Sequence, residues 1–112
     1  MPMLPDAAFV VRGGLNLIEL LEAGSGVTVD GMGNMYGLSV NSAADKTIIE
    51  LSTSIPNRQL GVTTVGAVRA AGGEVKPDPN RHNPFHCLVN GLSAIVMHGL
   101  FNPSIVNPSR VR

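Results

Sequence analysis

Between residues 60 and 91 the chain reads LGVTTVGAVRAAGGEVKPDPNRHNPFHCLVNG, and its punctuation leaves little conformational freedom. Thr63 or Thr64 offers a hydroxyl cap where a short helix begins, and Gly72-Gly73 ends that helix in the left-handed conformation glycine tolerates. Val65 and Val68 fall on the core face and Arg69 on another. Gly66 inside so short a helix costs about 1 kcal/mol against alanine, which points to close packing or an approaching ligand. Residues 74–76 form a strand stub closed by Pro77. The loop 78–84 carries Arg81, His82 and Asn83, and an apolar strand over 85–89 follows with His86 near its start. Polar groups crowded between structural marks are where a site would sit.

The rest of the chain is cut into equally short pieces, as thirteen glycines and eight prolines require. Residues 8–11 (AFVV) predict a strand ending at Arg12 and the Gly13-Gly14 pair. Asn16 predicts a cap for a helix over 17–23, with Glu19 three positions on and Gly24 as the stop. Residues 26–30 and 35–40 predict a β-hairpin around Asp30-Gly31. In its second strand Tyr36, Leu38 and Val40 make an apolar face, and Gly37 and Ser39 a small polar one. Ser42 and Asp45 predict a helix over 43–52. Ser93 predicts a cap for a last helix over 94–101, stopped by Asn102-Pro103.

The expected fold is α+β: a small, mostly antiparallel sheet with about four short helices. It forms one domain over residues 1–112, with 1–7 and 104–112 loosely held. At 112 residues with 44% hydrophobic and 14% charged side chains, there is ample apolar surface for a core. Lys+Arg and Asp+Glu both number 8, which argues against a strongly basic nucleic-acid binder and gives little protection against self-association. Cys87 stands alone, so no intrachain disulfide forms, compatible with a reducing cytoplasm. No apolar run approaches the roughly 20 residues of a membrane span, so no membrane partner is expected.

His86 leads the candidate chemistry, because imidazole titrates near neutral pH and is the usual general acid/base. Arg12, between a strand and a glycine pair, has the planar fork that clamps a phosphate. Thr63 and Thr64 at a helix start suit an anion, and Arg69, His82 and Asn83 could add substrate contacts. A competing structural reading gives capping to the threonines and solvent to the arginines. His82, His86, Cys87 and His98 invite a zinc reading. Pro84 breaks the alignment of the two loop histidines, and Cys87 points to the opposite strand face from His86, so no metal and no cofactor are expected. Cys87 and His98 read as packing residues. Walker, zincin, paired-cysteine and nucleophile-elbow motifs are absent.

With IPNRQLGVTTVGAVRAAGGEVKP, NPFH, Gly91-Leu92 and LFNPSIVNP on the page, the chain resembles a family of small bacterial domains. These occur alone or as C-terminal modules of polymorphic toxins of the contact-dependent-inhibition and Rhs kinds. The resemblance covers roughly residues 8–108 and is strongest over 55–91. It implies a metal-independent ribonuclease toxin acting on RNA, with an immunity-like protein as a further partner. It would work in the cytoplasm, or in that of a target cell. His86 would be acid/base, Arg12 the phosphate clamp and Thr64 a hydroxyl on the phosphate. Hydroxyl residues are expected soon after the histidine, and here Leu88 and Asn90 stand instead. Two other readings stay open: a non-enzymatic module that binds a partner or itself as a homo-oligomer, and an anion-binding domain using Thr63 and Thr64.

Overall fold

A computed structural model describes residues 3–110. In order the elements are β1 (Phe9–Gly13), α1 (Ile18–Glu22), β2 (Thr28–Val29), β3 (Asn34–Tyr36), β4 (Leu38–Ser42), α2 (Ile48–Ser52), β5 (Gln59–Thr64), α3 (Val65–Ala70), β6 (Glu74–Pro77), β7 (His86–Asn90), β8 (Leu92–Ser93), α4 (Ala94–Phe101) and β9 (Ile105–Val106). A 3₁₀ turn, Pro108–Arg110, follows. The large sheet has the order β6-β7-β4-β1-β5-β9 and the small one β2-β3-β8. All pairings are antiparallel, so the α+β architecture expected from the sequence is the one observed.

β1 is central because consecutive valines serve both faces of the sheet. Val10 joins the main core with Leu38, Val40, Val65, Val68, Val89, Met97 and Phe101. Val11 joins a smaller cluster with Leu51 and Leu60 under α2. α4 buries Ala94, Met97 and Phe101, a spacing that keeps one helical face inward. Burying the Phe101 ring contributes about 1.5–3 kcal/mol of transfer free energy.

Two glycines pass the chain from one sheet to the other. Gly37 (φ 85°) separates β3 from β4, and Gly91 (φ 92°) separates β7 from β8. A side chain at either would meet a backbone conformation that L residues rarely adopt. At Gly37 it would also stand 2.7 Å from the Gly26 carbonyl oxygen. Gly37 N–H donates to Asn90 Oδ1 (2.7 Å) and Gly91 N–H to the Met35 carbonyl (2.8 Å), so the two crossings brace each other. The single strand expected over 35–40 is therefore two strands in two sheets; only its first part forms the hairpin, with β2.

Three other expectations need correction. Asn16 does not cap α1, whose N-cap, Leu17, makes no side-chain cap bond. Asn16 has φ 54°, and its amide donates back to the Arg12 and Gly14 carbonyls. Ser42 does not start a helix: its hydroxyl donates to the Phe9 carbonyl (2.6 Å) from within β4. α2 begins five residues later on Thr47, whose hydroxyl accepts from Glu50 N–H while Glu50 accepts from Thr47 N–H. The tail is also not loose through 110. β9 pairs with β5, and buried Asn107 donates its amide to the Ile55 (3.1 Å) and Asn57 (2.8 Å) carbonyls. At the other end Gly66 N–H donates to the Asp6 carbonyl (2.9 Å), so the expectation of loosely held ends fails at 3–7 too. Residues 1–2 and 111–112 lie outside the described residues.

Candidate functional site

The large sheet splits along part of the β1–β4 seam. These strands pair only at Val10↔Ser42 and Val11↔Asn41. Beyond that, β1 continues to Gly13 beside β5, and β4 reaches back to Leu38 beside β7. A cavity of about 290 Å³ opens at the divergence, with Arg12 and Gly13 on one side, Ser39 and Asn41 on the other, and His86 and Asn83 beyond β4. Residues 54–57 make a third wall. Gly13 lets that wall sit down on β1, since a Cβ there would stand 2.7 Å from Ile55 Cγ2.

Asparagines shape the 78–85 loop. Asn80 Oδ1 accepts from the His82 and Asn83 backbone N–H groups, an Asx turn. Asn83 Oδ1 accepts from Phe85 N–H, and its amide donates to Asn41 Oδ1 (2.8 Å). Asn41 in turn donates to the Leu51 carbonyl (2.8 Å). The loop is thus tied to β4 and, through it, to α2, and it delivers His86 to the cleft at a fixed height.

His86 is held at both nitrogens. Nδ1 lies 3.0 Å from the Asp78 carbonyl oxygen and 3.1 Å from Asp78 Oδ2. Both are acceptors, so the neutral ring carries its proton on Nδ1. Nε2 is then the acceptor, and it meets the Ser39 hydroxyl at 3.1 Å. Ser39 lies on the neighbouring strand β4, where its register partner is Leu88 and that of His86 is Asn41.

Arg12 lines this cleft and also a smaller cavity of about 150 Å³ with Asn16, Leu20 and Leu21. Its Nε is buried without a hydrogen-bond partner, as is Asn16 Oδ1. Burial pulls the guanidinium below its ordinary pKa, a desolvation effect on the charged form. The guanidinium end reaches toward the end of α1, where its Nη2 would stand 3.3 Å from a Cβ on Gly24.

The other sequence candidates lie elsewhere. Thr64 caps α3, its hydroxyl accepting from Ala67 N–H (3.1 Å). Thr63 sits in β5 opposite Val10. Arg69 is engaged by Asp6 (2.6 Å) and the Leu4 carbonyl (2.7 Å). His82 is exposed on the loop. None of these four lines the cleft, whereas Arg12, Asn83 and His86 do. Cys87 is buried on the core side, where burial pushes its thiol pKa up. His98 Nδ1 faces the Asn16 carbonyl at 2.9 Å, a packing role. Among the described residues no three His, Cys, Asp or Glu side chains converge to hold a metal ion, and no helix is long and apolar enough to cross a membrane.

Sequence reasoning missed Ser39, Asn41 and Asp78. The signal for Ser39 was its place on the small polar face of an otherwise apolar strand. Comparison with models of protein families, with curated proteins and with solved structures found no match.

Proposed function

We propose that this chain is a metal-independent, ribonuclease-like domain of the small bacterial toxin kind, with His86 as general acid/base and Arg12 as phosphate clamp. One observation carries the reading: His86 and Arg12, 74 positions apart by their numbering (86 − 12), line the same cleft. Cleavage of RNA through its 2′-hydroxyl needs a base at that hydroxyl and positive charge at the phosphate. In this reading Nε2 of the neutral His86 ring supplies the first, and Arg12, which borders the cleft, the second. Asn83, beside His86, is a substrate contact. The working place is the cytoplasm that the domain occupies or enters, and an immunity-like protein covering the cleft would be its natural inhibitor.

The test is cleavage of mixed RNA substrates by purified protein in the presence of EDTA. Cutting is expected, and His86→Ala should reduce it about 10²–10⁴-fold, the usual worth of a positioned acid/base. Arg12→Met should also cut poorly while unfolding at nearly the same denaturant concentration, because a buried charge without a full set of partners adds little stability. Intact RNA at high concentrations of folded protein overturns the reading.

A second reading has its own observation. Leu17, Ile18 and Leu20 on or beside α1, and Ile95 and Val96 on α4, are exposed apolar residues on two helices that pack together; Leu20 is 57% and Ile95 71% exposed. Such a surface suits a non-enzymatic module that binds a protein partner or a second copy. Light scattering after size exclusion separates the two: a clean monomer at high concentration opposes self-association.

A further inference from the structure

Beyond nuclease chemistry, we infer that Ser39, His86 and Asp78 form a nucleophile–base–orienter chain, and that the cleft can carry out acyl transfer from a carboxylic ester to Ser39. The geometry is that of a working relay. Ser39 Oγ stands 3.1 Å from His86 Nε2, and Asp78 Oδ2 stands 3.1 Å from Nδ1. Ser39 is exposed to the cleft, so an incoming carbonyl reaches it, while His86 lies half-buried behind it. The three residues come from β4, β7 and the loop after β6, and the β4–β7 register keeps the first two together. Such constellations are recognised by geometry and roles, independent of fold or chain order.

The order of proton transfers selects the substrate class. As Oγ attacks the ester carbonyl carbon, the Oγ–C bond forms, the carbonyl π pair moves onto its oxygen, and the Oγ proton passes to Nε2. Collapse of the tetrahedral intermediate re-forms the carbonyl and breaks the bond to the alkoxide, which takes the proton from Nε2–H. Water then repeats the sequence on the acyl-serine and restores the hydroxyl. At a tetrahedral carbon the nucleophile and the leaving oxygen lie on the same side, within reach of one imidazole. The single imidazole at Ser39 Oγ therefore suffices for both proton transfers on a carboxylic ester. Arg12 borders the same cavity from β1. Asp78 is a positioning residue, since it touches only His86 among the chain's working groups.

The experiment is incubation of the full chain with a fluorophosphonate probe, read by intact mass and peptide mapping. The probe phosphonylates an activated serine and expels fluoride, which needs no proton, so it reports the first half of the relay alone. One adduct at Ser39 is expected on the wild type, none on Ser39→Ala, and labelling at least about 100-fold slower on His86→Gln. Asp78→Asn should slow labelling more than about tenfold and shift its pH profile, with partial rescue in Asp78→Glu. Circular dichroism of each variant confirms folding, and p-nitrophenyl ester turnover by the wild type follows the acyl step. No adduct on folded wild type, an adduct elsewhere, or undiminished labelling of His86→Gln overturns the inference. Ser39→Ala leaves Nε2 free for a 2′-hydroxyl, so it should still cut RNA if the nuclease reading holds; the two readings therefore fail separately.

Discussion

The two faces of the six-stranded sheet treat polar groups in opposite ways. On the face covered by α3 and α4, Val10, Val40, Val68, Val89, Met97 and Phe101 close into one dry core. The polar groups around it are used up locally: Thr64 on Ala67, Ser93 on Val96, Arg69 on Asp6 and Leu4. The other face has only a small cluster under α2 and then opens where β1 and β4 part. There the His86 ring reaches a hydroxyl that is open to the cleft. Hydrogen bonds that close on neighbours build architecture, and bonding capacity left over at a split marks a place for something else to bind.

The contrast can be broken by substitution. Phe101→Ala, on the closed face, should cost about 3–5 kcal/mol in chemical denaturation, the range for an aromatic removed from a packed core. Asn41→Ala, at the edge of the open face, should cost about 1–3 kcal/mol, because the Leu51 carbonyl and the Asn83 amide lose their partner. It should also slow RNA cleavage, which Phe101→Ala should not do below its own unfolding range. If Asn41→Ala costs stability and leaves cleavage intact, the loop is not coupled to the cleft as drawn. Thr64→Ala should cost about 1 kcal/mol, the loss of a helix cap. Unchanged cleavage at full folding would assign that threonine wholly to the closed face.

The smallest effect is electrostatic. Glu50 titrates below the usual carboxylate range, first because Thr47 N–H donates to it, with Lys46 adding attraction. Asp30 does so through the N–H groups of Asn34 and Met32. Both folded pKa values are depressed. Their stabilising contribution is present above the unfolded values and lost as pH falls through the folded ones. Denaturation midpoints measured from neutral to strongly acidic pH should fall less steeply for Glu50→Gln than for the wild type. Parallel curves would remove the capping box as a source of acid sensitivity.

Legibility in the sequence followed the range of the forces involved. α4 is readable to the residue because its cap, its buried face and its Asn102-Pro103 stop are all local. α3 is nearly so. α2 is not, because Ser42-x-x-Asp45 and Thr47-x-x-Glu50 make rival capping patterns, and pairing of Ser42 with Val10 decides between them. The break at Gly37 depends on a second crossing at Gly91, far along the chain. In the site, His86, Arg12 and Asn83 announce themselves by type and by neighbouring Gly or Pro. Ser39 does not, since its meaning comes from a register partner strand 47 positions away. Arg69 looks as free as Arg12 in the sequence; only the fold of residues 4–6 onto α3 shows that it is taken.

Asn107 ties the 54–57 wall to the C-terminal segment by two hydrogen bonds, and Arg110 adds another on the Ile55 carbonyl. Ile55 N–H also donates to the Ser52 carbonyl and the Asn41 amide to the Ser54 hydroxyl, so the wall is held from both sides. Cutting the chain back before residue 107 should therefore loosen one side of the cleft without removing any residue that lines it.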